Sequence, residues 1–129
     1  MPAVSTRLGA GNELARRISV TMPVGVATGL ADAADLTDCR LLGIEVPTGL
    51  TATTLTFQAA STAAGTYRNC RDSYNTEIAI PVTANSFVAV DPALFAGFPF
   101  LRVRGGTAAA ATTQLTNDVE IVLIVHGLG

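Results

Sequence analysis

The segment LTFQAASTAAGTYRN, residues 55–69, decides the fold class of this chain. Leu55 and Phe57 alternate with Thr56 and Gln58, a period of two that predicts a strand with one buried face. The small residues of ASTAAGT, 60–66, then lead into a second short strand. A phosphate-binding loop needs several glycines, a following helix and usually a lysine, and this loop has one glycine and no lysine. The segment therefore predicts a β-hairpin and not a ligand cradle.

The same alternation recurs along the chain. It predicts strands at 17–22, 39–47, 53–60, 77–82, 86–91, 100–106 and 117–125, with a short continuation at 66–70. The segment 117–125 is the most apolar, which predicts a central strand. Residues 30–39, LADAADLTDC, are predicted to form either a short helical turn or a loop rich in aspartate. Asp91, Pro92 and Gly97 predict one helical turn over 92–98, with Asp91 as its cap.

About seven or eight short strands, separated by turn signals, indicate an all-β protein. Long helical periods are absent from the sequence, so a parallel sheet has no crossover segments. We therefore expect a single-domain antiparallel β-sandwich or jelly roll over residues 17–129. Residues 1–16 have no clear period and are predicted to be an extended N-terminal arm. The arm is either a frayed tail or a segment that orders against a neighbouring subunit.

The composition restricts the partners that this chain can have. Of its 129 residues 14% are charged, and eight arginines with no lysine stand against ten acids, for a net charge of −2. Nucleic acid is not expected as a partner, because phosphate binding needs clustered positive charge. No membrane association is expected either, since the apolar runs are too short to span a bilayer. We expect a protein made in the cytosol, with solubility supplied by small polar residues or with apolar surface that a partner covers.

Side chains with catalytic or metal-binding chemistry are sparse. His126 is the only histidine and is expected to be an exposed tail residue, since a general base needs an orienting partner and a pocket. Asp32, Asp35 and Asp38 are spaced by three, but no calcium-loop pattern closes around them. They are expected to cap local backbone groups in a solvated loop. We therefore predict no enzymatic activity, no metal and no cofactor.

Two further groups leave alternatives open. Cys39 and Cys70 are expected to be free, half-buried thiols, although a disulfide remains possible if two strands bring them together. Tyr67, Tyr74 and Arg71 are candidates for stacking on a sugar and binding it. The absence of tryptophan makes this aromatic platform a poor one.

Arginines are concentrated on two segments. Arg102 and Arg104 alternate with Leu101 and Val103, which predicts that both arginines point outward from one strand. The face is either simply solvated or forms ion pairs with an acidic partner surface, because the forked donors of arginine suit carboxylates. Arg68 and Arg71 form a second group with the same two interpretations.

Five motifs occur in an order typical of a known family. They are LLGIEVP at 41–47, LTFQAA at 55–60, GTY at 65–67, DPALFAGFPFLRVRGG at 91–106, and Gln114 before NDVEIVLIV. Over residues 17–125 the chain resembles a family of small bacteriophage structural proteins, of the capsid decoration or cement type. The LRVR strand also resembles the closing strands of jelly-roll carbohydrate-binding modules. The first resemblance implies a virion component, and the second keeps a binding role open.

The resemblance leads to two functional hypotheses. The first is a decoration or cement protein on the capsid surface, which binds the major capsid protein between capsomers and is expected to be a homo-oligomer, a trimer. Its expected contact residues are Val4, Arg7, Leu8, Leu14, Arg102 and Arg104. The alternative is a tail or head-fibre binding module that recognises a glycan or protein on the host surface.

Overall fold

A computed structural model describes residues 15–127 of the chain, and these residues contain strands and turns but no helix. The strands are β1 (Ala15–Met22), β2 (Leu30–Asp35), β3 (Cys39–Val46), β4 (Thr54–Ala60), β5 (Arg68–Asn69), β6 (Ile80–Pro81), β7 (Ser86–Ala89), β8 (Phe100–Gly105) and β9 (Val119–Gly127).

The strands form two antiparallel sheets that pack against each other. The first, here the β9 sheet, has the order β1-β9-β3-β7, and the second, the β8 sheet, has the order β2-β8-β4-β5. The short strand β6 also pairs with β4, next to β5. This arrangement confirms the predicted single-domain β-sandwich, and the apolar strand β9 lies inside its sheet as predicted. Because β1 begins at Ala15, the sandwich includes the last two residues assigned to the arm; residues 1–14 lie outside the described part of the chain.

Alternating apolar residues of both sheets build the core. Leu55 and Phe57 of β4 are fully buried, as are Leu101 of β8 and Leu123 of β9. Phe57 meets Phe95 edge to face, with ring centroids 4.7 Å apart. Edge-to-face pairs add about 1 kcal/mol beyond the burial of their area. The segment 55–69, which predicts the fold class, therefore supplies the centre of the core through Leu55 and Phe57.

The prediction of a helical turn or loop at residues 30–39 is wrong, because β2 lies there. Ala31 and Ala34 are buried, and β2 pairs with β8 through Leu30, Ala33, Ala34 and Asp35. The register shifts between Leu30 and Ala33. Such a bulge inserts an extra residue into the strand, so the inward positions are no longer two apart and the sequence loses its simple alternation.

Residues 77–82 form less strand than predicted. Only Ile80 and Pro81 pair with β4, since Pro81 has no backbone N–H with which to extend the ladder. Ile78 and Val82 are nevertheless buried on the predicted face.

The helical turn predicted at residues 92–98 is a series of tight turns. Leu94 N donates to Asp91 O at 2.9 Å, and Phe98 N donates to Phe95 O at 3.1 Å. The Asp91 carboxylate accepts from Ala93 N at 3.0 Å, which is the predicted cap.

The hairpin predicted between residues 55 and 69 is present. Strands β4 and β5 are antiparallel, with Gln58 opposite Asn69. Within the connecting loop, Gly65 N donates to Thr62 O at 3.1 Å, and a side chain at Gly65 would come within 2.7 Å of Thr62 Oγ1. The Tyr67 hydroxyl donates to Ala63 O at 3.0 Å. The small residues of this loop therefore allow a tight chain reversal.

Candidate interaction sites

Arg104 is the centre of a polar network on the outer face of the β8 sheet. Its Nε donates to Thr56 Oγ1 at 2.9 Å, its Nη1 to Asn69 Oδ1 at 3.0 Å and its Nη2 to Glu77 Oε2 at 3.1 Å. Glu77 Oε2 also accepts from Ala108 N at 2.9 Å. The network thus joins β8, β4 and β5 to the two loops that cover this face.

This network corrects one prediction. Arg104 lies on the predicted face of β8, but the loops leave it only 5% exposed, so the expectation that it points into solvent is wrong. All three of its nitrogen atoms already have partners within the chain. Contact of Arg104 with a partner stays a prediction, although only this small exposed fraction is accessible to one.

Arg102 is half-buried on the same face. Its Nε donates to Ala31 O at 2.9 Å, and its guanidinium carbon lies 5.7 Å from the centroid of the Tyr67 ring. Its contact with a partner stays a prediction. The remaining predicted contact residues lie outside the described residues; they are Val4, Arg7, Leu8 and Leu14.

The outward side of the β9 sheet carries an apolar surface that the sequence analysis did not select. We call it the outer β9 face and define it by Leu42, Phe87, Ala89, Val122 and Ile124. Strand β3 lies between β7 and β9 in this sheet. Its Glu45 is opposite Phe87 of β7 and Val122 of β9. Its Gly43 is opposite Ala89 of β7 and Ile124 of β9. Phe87 is 70% exposed and Leu42 is 36% exposed.

Two features explain why this face was missed. The alternation of SFVAVD places Phe87 and Ala89 on one side of a strand, but it cannot show whether another layer covers that side. Leu42 lies at a register shift between Leu41 and Gly43, so both Leu42 and Gly43 turn away from the core. The ion pair of Arg17 with Glu45, 3.8 Å across the face, is exposed and contributes little stability.

A groove of about 330 Å³ opens at the edge of the β8 sheet, beside the predicted hairpin. It is lined by Ala59, Ala60, Ser61, Thr66, Arg68, Asn69, Cys70, Arg71, Gly97, Phe98 and Pro99. Two arginines are its charged residues, and no carboxylate is among these lining residues. Arg71, which the sequence analysis selected as a sugar contact, belongs to this groove, whereas Tyr74 is 88% exposed and does not line it.

The aspartates at residues 32–38 satisfy local donors. The Asp35 carboxylate accepts from Thr37 N at 3.0 Å and from the Thr37 hydroxyl at 2.7 Å, and these bonds lower the pKa of Asp35. Asp32 accepts a longer bond of 3.4 Å from Thr21 N. The Asp35 contacts are the predicted local cap, whereas the donor to Asp32 lies 11 residues away on β1. Between residues 15 and 127, no three carboxylate, histidine or cysteine side chains are grouped as metal ligands.

His126 differs from the exposed tail residue that was predicted. It is half-buried within β9, opposite Ala15 of β1 on one side and Arg40 of β3 on the other.

Cys39 and Cys70 are both free, as expected. Burial raises the pKa of the Cys70 thiol to about 12, from an ordinary value of 9.0, and burial also raises the pKa of the half-buried Cys39. Because the thiolate is the reactive form, we expect iodoacetamide at pH 8 to alkylate Cys39 well before Cys70. Peptide mass spectrometry of timed samples measures both rates, and equal rates would contradict the buried position of Cys70.

The same shift has a consequence for stability. The unfolded chain releases the Cys70 proton near pH 9, and the folded chain does so only near pH 12. The contribution of this thiol to stability is therefore complete below pH 9 and is lost as the pH rises through this range.

The fold defines an antiparallel β-sandwich protein. A solved structure of similar architecture is the crystal structure of SPBc2 prophage-derived protein YomS, with a TM-score of 0.48 and 15% sequence identity. The similarity covers 96% of this chain and 98% of that one. No protein-family model and no curated protein matches the chain. Within residues 15–127, no helix has the length and apolar character needed to cross a membrane.

Proposed function

We propose that this protein is a bacteriophage virion component, a decoration protein that binds the major capsid protein between capsomers and has no catalytic role. The sequence resemblance over residues 17–125 supports the virion assignment. The outer β9 face is the observation that carries the decoration role. Phe87 is 70% exposed and Leu42 is 36% exposed on a sheet side where Ile124 is half-buried and Val122 is largely covered, and exposed apolar side chains grouped in this way are typical of an interface.

Burial of this face by the shell accounts for the stabilising effect that we propose. Complete burial of a fully exposed Phe or Leu side chain contributes about 1.5–3 kcal/mol. Phe87, at 70% exposure, supplies most of such a gain, and Leu42, at 36%, supplies a smaller part. A decoration protein contributes this gain once for every copy on the capsid, so a modest interface stabilises the whole shell. The sparse charge of the chain is consistent with a surface that is covered in the assembled particle. A trimer at local three-fold positions remains the expected state of the protein.

Substitution of Phe87 tests this proposal. We expect Phe87→Asp to weaken binding to undecorated capsids by at least about tenfold, because a carboxylate would lose its hydration in the interface. The measurement is co-sedimentation of purified protein with capsids that lack it, scored as copies per shell subunit. The wild-type chain is expected to approach one copy per shell subunit at saturation.

Tyr74→Asp is the matched control, because Tyr74 is an even more exposed aromatic residue, at 88%, on a loop away from the outer β9 face. Its binding is expected to be unchanged. Equal binding by wild type and Phe87→Asp would rule out this face as the docking surface. A few copies per particle in native virions would place the protein at the tail or portal instead.

The groove favours a second candidate function, a tail or head-fibre module that recognises a host-surface glycan. It contains Arg71, one of the three residues that the sequence analysis selected for sugar binding. Ser61, Thr66 and Asn69 supply further polar groups, as hydroxyl recognition requires.

A further inference from the structure

We propose that the groove between the β4–β5 hairpin and residues 97–99 binds the carboxylate of a single acidic sugar unit. This inference deepens the second candidate function and rests on it. The groove is suited to such a ligand by its charge, by its mixture of polar and apolar groups and by its size.

The charge of the groove is positive although the chain as a whole is acidic. Arg68 and Arg71 line the groove, and the two nearest acids along the chain have other partners. Asp72 Oδ1 accepts from Tyr74 N at 2.9 Å and from Thr76 N at 3.0 Å. Glu77 pairs with Arg104 outside the groove, at 3.1 Å. No carboxylate lines the groove, and within residues 15–127 neither Arg68 nor Arg71 forms an ion pair, so both guanidinium groups can pair with a ligand carboxylate.

The side chains of the two arginines differ in how firmly the protein holds them. Arg71 Nη1 donates to Asn75 O at 2.8 Å, which fixes its guanidinium. Arg68 lies opposite Ala59 in the β4–β5 ladder and is exposed, and its side chain donates no hydrogen bond within residues 15–127. Arg68 can therefore rotate to form a bidentate pair with a ligand carboxylate, while Arg71 supplies a fixed charge beside it.

The rest of the lining matches a sugar ring. Ala59 and Phe98 offer apolar surface for the C–H face of the ring, and Ser61, Thr66 and Asn69 offer hydrogen-bonding groups for its hydroxyls. The volume of about 330 Å³ lies at the lower end of the range for small-molecule pockets, about 300–1,000 Å³. It therefore accommodates one sugar unit and not an extended chain.

The test is a titration of the purified full-length protein with matched sugars. Glucuronic acid and glucose differ only in the carboxylate, and N-acetylneuraminic acid is a second acidic probe. We expect both acids to bind, as measured by saturation-transfer NMR and calorimetry, and glucose to bind at least about tenfold more weakly. Arg68→Gln is expected to lower the affinity for both acids by at least about tenfold.

Arg40→Gln is the control, since Arg40 is an exposed arginine on the other sheet. It removes the same charge and is expected to bind the acids like the wild type. Arg71→Gln is a second variant in the groove, and circular dichroism reports whether each variant is folded. Equal binding of glucose and glucuronic acid, no binding of either acid, or retained affinity in both groove variants would overturn the proposal. Acetate competing as well as glucuronic acid would also overturn it, because the sugar ring would then contribute nothing.

Failure of the sugar-binding proposal can be distinguished from failure of the decoration proposal and of the binding-module proposal. Capsid binding and copy number are measured on particles, and sugar binding is measured on the free protein. A negative titration with normal capsid decoration removes the groove proposal alone. A positive titration together with a few copies per particle supports the binding module over the decoration protein.

Discussion

Replacing Arg104 with methionine is expected to lower the free energy of unfolding by about 3 kcal/mol. The substitution keeps an apolar stem of similar length but removes the donors to Thr56, Asn69 and Glu77. Glu77 then loses its charged partner at a partly covered site, and the buried Thr56 loses one of its two hydrogen bonds. Chemical denaturation followed by circular dichroism measures the change.

Arg102→Met is the matched comparison, two residues away on the same strand. Arg102 is half-buried and donates to one backbone carbonyl, so about 1 kcal/mol is expected for its loss. Adding Glu77→Gln to Arg104→Met is expected to restore part of the stability, because an uncompensated carboxylate is removed. If Arg104→Met costs no more than Arg102→Met, the network does not contribute as its burial indicates.

Arg104 also shows how far the sequence could predict the structure. Alternation along LRVR placed Leu101 and Val103 inward and Arg104 on the opposite face, and this is correct. Its burial depends on Asn69 and Glu77, which are 35 and 27 residues away along the chain. A pattern of period two describes one strand and its two faces. It holds no information about loops that fold over the outer face.

The other errors also come from features that a regular period of two does not describe, namely register shifts within strands and surfaces built from several segments. Strand β2 was missed because a register shift between Leu30 and Ala33 interrupts its alternation. The outer β9 face was missed in part because a second shift exposes Leu42. The groove was only partly anticipated, through Arg71, since its lining comes from three segments that become neighbours only in the folded sandwich. The sequence therefore predicted regular strands well and predicted surfaces made by several elements poorly.

Gln114 is a further case in which distant segments converge, and its substitution has the second large expected effect. Its side chain is only 1% exposed; Nε2 donates to Gly49 O at 2.7 Å, and Oε1 accepts from Thr51 N at 2.9 Å. Its backbone carbonyl accepts from Gly25 N at 2.9 Å. We expect Gln114→Ala to lower the free energy of unfolding by about 2 kcal/mol, since two hydrogen bonds at a largely covered site are lost.

The same substitution is expected to loosen one end of the sandwich. Amide hydrogen exchange at Thr51 should become faster in Gln114→Ala, because its N–H loses its acceptor. Gln58→Ala is the matched control: Gln58 is half-buried and makes a long bond of 3.4 Å to Asn69, so a loss of about 0.5 kcal/mol or less is expected. If both variants have the same stability and the same exchange rate at Thr51, Gln114 does not hold these segments together. A larger effect in Gln114→Ala would show that this buried side chain, through its bonds to Gly49 O and Thr51 N, holds the loop after β3 to the segment that precedes β9.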